Sequence, residues 1–531
     1  MRHLTPSTLQ TIEITLSGDD PSAKAPRVKA PSAVHTYTTY DDIRGHVAIS
    51  ALAPTPFSRV EICLLGITRT IQTDHPGPII DVPRVANIFL RMDMPLPLST
   101  YPPPSGSDGS DDTYLLNPGS PLHIPFHFVV PARLLPHACR HERFSSSVSE
   151  AHSQLPPSLG SFSMPRDDLA FDMANISYSI YARLMAPSPT NKTPKTLSFA
   201  QRKFHVVPAG EEAPPLLVLE ESKYVLSKSK TMRKGMFRGK LGTLMLTTTQ
   251  PRAFSLPPPR TCGPHTSSAI TDITLTLRFD PADPSCVPPR LGALSAWISA
   301  TTVHSISPAS RIPNQELKGT SYDNYSREFK TYVALADDVP AAEAPLWRAV
   351  PAPKYARRDS GYSSAGSLSP GPSYSSSPAP STASTGLLSA SDEEDEVDEK
   401  ISHYTTTIAL PLALVPSRTW IPTFHSCFVS RFYTLLLKLV VHPPGATMPF
   451  MLSLEVPVQV IGKGREGREE AFVAAGRVGK GGEMGVLEGV WDGYATGNAD
   501  GCWERQEMGP GDELLPGYVT PNFAWRRRRG R

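Results

Sequence analysis

No stretch of this 531-residue chain is both apolar and long enough to cross a bilayer as a helix. The most apolar run, residues 432–441, is short and carries Lys438. The opening residues, MRHLTPSTLQTIEITL, have no continuous apolar segment of the kind a secretory signal needs. The reading is a soluble protein whose membrane role is at most peripheral. Neither sign of charge is in excess, with 52 Lys and Arg against 50 Asp and Glu, so nothing demands a nucleic-acid partner and none is expected. Cysteine is sparse: Cys63, Cys139, Cys262, Cys286, Cys427 and Cys502 are scattered, with no CxxC pair. Such thiols, with no signal peptide before them, read as reduced, intracellular and mostly core filler. Long amphipathic-helix patterns are scarce, and no repeat of roughly 20–50 residues recurs, which excludes solenoids and propellers.

Proline is abundant instead. It supplies 57 of 531 residues, about 11%, roughly twice the usual ~5%. With runs of alternating polarity between the prolines, this predicts many short strands and constrained loops. The length predicts two domains.

The chain is organised around residues 122–160. Ile124, Phe126, Phe128 and Val130 alternate with less apolar neighbours, so one face of a strand can be buried. Pro131 ends that ladder because it has no N–H to donate. Residues 134–140 predict a single turn. Residues 154–160 predict a rigid turn, in which Pro156 and Pro157 fix φ and Gly160 permits positive φ. Alternation resumes over 174–184 through Ile176, Tyr178, Ile180 and Ala182. Strand, proline corner, excursion and returning strand make a sandwich edge.

Other strands of this first series are predicted over 11–16, 40–52 (with a kink or bulge at Gly45), 59–71, 87–94 and 197–207. A turn is expected at Pro54–Pro56 and a polar loop over 95–120. After a proline-rich link at 208–215, a second series is predicted over 216–220, 241–248, 270–279, 294–304, 331–336, 403–414, 430–441 and 450–461. In it, Ile273, Leu275, Leu277 and Phe279 alternate with polar residues, marking one dry and one wet face. Residues 355–400, rich in Ser, Pro and Gly and then in acid, cannot bury enough apolar surface to offset ordering, and are read as a disordered insert.

Chemical signatures are weak. GKGREG at 462–467 fits G-x-G-x-x-G and precedes EEAFVAAGR, a candidate helix. A dinucleotide site needs a parallel βαβ unit, whereas these strands read as antiparallel, so the match is assigned to a flexible tail and no cofactor is expected. There is no G-x-S-x-G. His137, Cys139, His141 and His152 form the one metal-like cluster, and zinc accepts their nitrogen and sulfur donors. Zinc sites usually show tighter paired spacing, HERFS lacks the second histidine of HExxH, and Pro136 and Phe144 point to local packing. Packing is the preferred reading, no metal is expected, and the chain is read as a non-enzyme with no catalytic residues.

Lys228, Lys230, Arg233, Lys234, Arg238 and Lys240 form a basic patch. Two readings stand for it: contact with anionic lipid or acidic and phosphorylated tails, or a solvated edge whose lysines discourage strand pairing. LLVLE at 216–220 has the pattern of a clathrin-box peptide, but its alternation favours a buried first strand of the second domain. Ser360 and Ser364 in RRDSGYSS, and Ser389 and Ser391 in SASDEEDE, are phosphorylation candidates within the insert.

The run FHFVVPARLLPHAC, then LPPSLG, then MANISYSIYARL resembles the N-terminal domain of fungal arrestin-like proteins, the α-arrestin family. Gly45 and Val47, followed by Ile62, Leu64 and Gly66, match the family's G-x-V and I-x-L-x-G strands in order. WIPTFHSCFVSRFYTLLLKLVV with LSLEVPVQVI is similar to the end of the arrestin C-terminal domain.

The resemblance implies an all-β chain of two antiparallel immunoglobulin-like β-sandwiches, the arrestin fold. Residues 1–207 would form the first and 216–461 the second, with a linker at 208–215, the insert at 355–400 and a flexible tail at 462–531. It also implies a cytoplasmic adaptor, peripheral to plasma membrane or endosomes, that links transporters or receptors to ubiquitination and endocytosis. Family members recruit WW-domain HECT ubiquitin ligases through PPxY. This chain has no PPxY, and its nearest equivalent is LPGY, with Leu515, Pro516 and Tyr518 as the docking residues. Leu in place of the first Pro keeps an apolar contact but loses preorganisation of the polyproline turn. The alternative is an arrestin-fold scaffold that binds membrane or coat proteins without a ligase. A cofactor-binding enzyme is the distant third.

Overall fold

The structure is a computed structural model that describes residues 10–18, 35–72, 84–101, 113–135, 138–139, 141–142, 145–160, 167–187, 195–233, 239–259, 269–315, 326–340, 347–351, 401–445 and 448–478. The insert with Ser360, Ser364, Ser389 and Ser391, the docking residues Leu515, Pro516 and Tyr518, and His137, Lys234 and Arg238 lie outside these residues.

The first half contains β1 (Gln10–Leu16), β2 (Thr36–Tyr37), β3 (Asp42–Ala51), β4 (Thr55–Phe57), β5 (Arg59–Ile71), β6 (Arg84–Asp93), β7 (Tyr114–Leu116), β8 (Leu122–Val129), helix α1 (Ser146–Ser153), β9 (Ala174–Met185) and β10 (Thr196–Val206). Strands β1, β3 and β8 form one antiparallel sheet, and β2, β10, β9, β5 and β6 form another. The alternation read in the sequence sets which side chains point inward. Ile43, Val47, Ile124, Phe126 and Phe128 of the first sheet meet Ile62, Leu64, Ile176, Tyr178 and Ile180 of the second in one core. Each such burial stabilises by about 1.5–3 kcal/mol.

Gly45 makes no bulge. The registers of β3 with β1 and with β8 run through it unbroken. It is glycine because a Cβ there would lie 2.1 Å from the Thr15 carbonyl oxygen and 2.6 Å from the Phe126 ring. The expected turn at Pro54–Pro56 and loop at 95–120 instead contribute β4 and β7, which pair with each other. Leu155–Leu159 is fully buried and crosses the sandwich edge. Ser158 N–H donates to Val206 O at 2.8 Å, and Leu159 pairs with Ile176.

The second half contains β11 (Ser227–Arg233), β12 (Lys240–Thr248), β13 (Phe254–Leu256), β14 (Ile270–Pro281), β15 (Arg290–Ser305), β16 (Ser326–Pro340), β17 (Arg348–Pro351), β18 (Ile401–Ala413), β19 (Phe424–His425), β20 (Val429–His442), β21 (Phe450–Val458), β22 (Val460–Gly462) and helix α2 (Arg468–Val478). Strands β11, β12, β14, β18 and β17 make one sheet; β16, β15, β20, β19 and β21 make the other. Leu275, Leu277 and Phe279 of the first face Ala296, Ile298, Leu435 and Leu437 of the second across a separate core. Pro351 and Ile401 are register partners on β17 and β18, so the insert leaves and re-enters the sheet at one point. A long connection there costs little, since closure entropy grows only with the logarithm of loop length.

Two expectations need correction. Residues 216–220 are not a buried first strand. They lie outside any sheet, with Leu217 84% and Leu219 49% exposed. The reason is a pair of glutamine clamps that hold the linker by its backbone. Gln459 bonds both N–H and C=O of Ala213, and Gln250 does the same to Leu216. Nor does the chain become a structureless tail at Gly462, because residues 462–478 fold back onto the first sandwich through α2.

Candidate functional site

The chemistry-bearing residues of the described chain gather where the two sandwiches meet. Arg431, on β20, is completely buried there. Its guanidinium donates to the carbonyl oxygens of Asp168 (3.1 Å) and Leu169 (2.9 Å) in the first half, and to Thr302 Oγ1 (2.9 Å) in the second. Burial raises the Asp168 carboxyl above its ordinary pKa, although N–H donors from Gly160 and Ala170 and the charge of Arg431 pull it down. Leu169 inserts into the second core, while Ile421, Phe424 and Val429 pack into the first. Thr70 Oγ1 donates to Ser305 O (2.8 Å), Thr419 N–H donates to Asp167 O (2.9 Å), and Phe171 stacks on Phe329 at 4.7 Å. The seam is therefore specific, built from both halves and fully buried at Arg431.

A second set of contacts straps the C-terminal end of the described chain to the first sandwich. Arg465 pairs with Asp41 (2.8 Å), Arg468 with Asp42 (2.7 Å), and Phe472 stacks on Tyr40 at 4.9 Å. Arg465 lies inside the G-x-G-x-x-G match and is occupied by Asp41 and by Pro259 O. Among the described residues, strand β22 pairs only with the three-residue β13, and they form none of the βαβ context a dinucleotide requires. Burial pushes the Asp42 carboxyl up, but bonds from His127 and Arg468 and the charge of Arg44 hold it below its ordinary range. This part of the strap's stability is complete above the unfolded carboxylate pKa and is lost as pH falls through the lowered one.

The described residues of the basic patch lie on β11 and at the start of β12. Met232 of β11 is buried and lies on the same side as Lys228 and Lys230, which pair in register with the buried Leu246 and Leu244. Lys230 places its ammonium 4.3 Å from the Phe450 ring centre. Since β11 is an edge strand, exposed lysines there oppose pairing with another chain. Arg233 and Lys240 are exposed and sit directly opposite each other, a like-charge pair that an anion would relieve.

Of the expected core-filler thiols, Cys63 and Cys286 are buried, and burial pushes the Cys63 thiol up to about 12. Cys139 differs. The structure brings it together with His141 and His152, as the sequence cluster placed them, and adds Cys427 from the second half. Packing alone was the expectation for these residues. The fourth member lay beyond reach of spacing arguments, because Cys427 follows His152 by 275 positions.

Among the described residues, no helix is long and apolar enough to cross a membrane. The chain matches no protein-family profile and no curated protein.

Proposed function

We propose that this chain is a non-enzymatic, arrestin-like adaptor of membrane-protein trafficking. The observation that carries the reading is the pair of consecutive antiparallel β-sandwiches with separate cores, locked at a seam around buried Arg431. One of the sequence phrases resembling α-arrestins, FVSRFYTLL, falls on β20 and carries Arg431 of that seam. A two-lobed body fixed by buried contacts can hold a transporter or receptor tail on its folded surface while a distal segment engages a second protein. In this reading the protein works at the cytoplasmic face of membranes, and LPGY in the C-terminal region supplies the ligase contact.

The ligase contact is tested by titrating a peptide of residues 513–520 into HECT-ligase WW domains. Weak binding is expected, lost with Tyr518→Ala and strengthened by Leu515→Pro, which restores the preformed polyproline start. No binding by either the native or the Leu515→Pro peptide would remove the ligase arm from the proposal.

One observation favours a second reading, a scaffold that binds coat proteins without a ligase. Leu217 and Leu219 of LLVLE are exposed on a segment outside any sheet. A short linear motif needs that presentation in order to dock, and the glutamine clamps supply it without unfolding.

A further inference from the structure

We propose that Cys139, His141, His152 and Cys427 form a structural zinc site that ties the two sandwiches together. The four donor atoms lie within 4.8 Å of one another. Cys139 Sγ is 3.1 Å from His141 Nε2 and 3.6 Å from His152 Nδ1, and Cys427 Sγ is 3.7 Å from His152 Nδ1. Zinc bonds of about 2.3 Å to sulfur and about 2.0–2.1 Å to nitrogen, at tetrahedral angles, put neighbouring donors roughly 3.3–3.8 Å apart. Three of the six separations fall within about 0.5 Å of that cage, and since all six lie within 4.8 Å, the widest must close by no more than about 1 Å to hold the ion.

The surroundings orient the donors. His141 Nδ1 lies 2.8 Å from the Glu142 carbonyl, a bond in which the ring nitrogen must donate. That fixes the tautomer and leaves the Nε2 lone pair facing Cys139, as a supporting partner does for a metal-bound imidazole. His152 is buried in the last turn of α1, whose start is capped by Ser145 accepting from Val148 N–H. Cys427 sits at the tip of the β19–β20 hairpin. Ser426 and Val429 close that hairpin by hydrogen bonds, and Cys427 O accepts from Ala309 N–H at 2.6 Å. Cys139 and His152 are buried, and His141 and Cys427 are half-buried.

Two thiolates neutralise a divalent cation, so the filled site carries no net charge into this half-buried seam. Four protein donors leave no open coordination position, which marks a structural centre and not a hydrolytic one. Zinc binding here releases the two thiol protons to solvent and creates four metal–ligand bonds. The site joins the excursion after β8 in the first half to a hairpin of the second. Metal therefore stabilises the association of the halves by mass action.

The test uses the full chain, purified reduced, loaded with Zn2+ or Co2+ and dialysed. One metal ion per chain is expected, and the Co2+ form should show the intense visible bands of tetrahedral geometry with thiolate charge transfer. Cys427→Ser removes a ligand outright. It should weaken zinc retention by more than the roughly 10–100-fold typical of losing a supporting partner. It should also abolish the zinc-dependent rise in thermal midpoint. Cys286→Ser, a buried thiol of the second core, should retain zinc as the native chain does. His141→Ala reports independently should Cys427→Ser fold poorly. Reduced native protein that takes up no metal overturns the proposal. Uptake that survives both Cys427→Ser and His141→Ala would overturn it equally.

Discussion

Arg431→Ala is expected to lower stability by about 3–5 kcal/mol, the usual cost of breaking a buried charged network on one side. The guanidinium is fully buried and supplies hydrogen bonds to three acceptors, two of them backbone carbonyls of the other half. Alanine leaves those acceptors dry and unsatisfied, each at about 1–3 kcal/mol before relaxation. The loss should appear as a lower denaturant midpoint and as protease access to residues near Asp168. Arg431→Lys keeps the charge but not the planar fork, so its loss should be smaller. Arg431 also pulls down the raised pKa of Asp168. Without it, ionised Asp168 becomes costlier, so the deficit should be largest at neutral pH and shrink as pH falls through the variant's Asp168 pKa. A loss under about 1 kcal/mol would mean that water replaces the guanidinium and the seam is not dry.

Gly160→Ala should cost nearly as much by a different route. Gly160 has φ +66, and a Cβ there would lie 2.4 Å from the Ala174 carbonyl oxygen. The left-handed backbone costs a non-glycine residue about 1–2 kcal/mol. Forcing the Ala174 strand aside adds about 1–3 kcal/mol of overpacking. The shift also pulls Gly160 N–H from Asp168 Oδ2, now 2.7 Å away, and so reaches the Arg431 seam. Gly119→Ala is the internal control. Its φ is +77 but nothing lies within 4 Å, so only the backbone term applies. Equal losses at the two glycines, measured by denaturant midpoints, would contradict the close approach at Gly160.

Much of the β architecture is legible because burial on one face writes itself as alternation. Strand β5 spans the residues expected for it, and β14 hides Ile273, Leu275, Leu277 and Phe279. Where burial does not alternate, sequence reasoning fails. Strand β11 reads SKSKTMR and is exposed but for Met232, so no periodicity announces it. In LLVLE the alternation is present, with Leu216 and Val218 half-buried and Leu217 and Leu219 exposed, but both faces are apolar, so the pattern cannot say which one turns out. The backbone clamps from Gln250 and Gln459, which no local pattern encodes, decide that two leucines face outward. Helix α1, SSVSEAHS, has only Val148 and His152 buried, too little for an amphipathic signature. Arg431 did leave a trace, as a lone charge between FVS and FYTLLL where a buried strand was expected. Cys427 left none, since its partners are brought to it by the fold alone.

The adaptor account is tested most directly by proximity labelling in living cells with three forms of the chain: native, truncated after Val478, and Leu217→Asp with Leu219→Asp. The truncation keeps the strap of α2 on the first sandwich and removes LPGY. The account predicts that native and truncated chains both label membrane transporters or receptors, and that only the native chain labels a HECT ubiquitin ligase. Loss of coat-protein labelling in the leucine variant, with no ligase labelled by any form, would favour the ligase-free scaffold. Absence of membrane-protein labelling by the native chain would contradict the adaptor function itself.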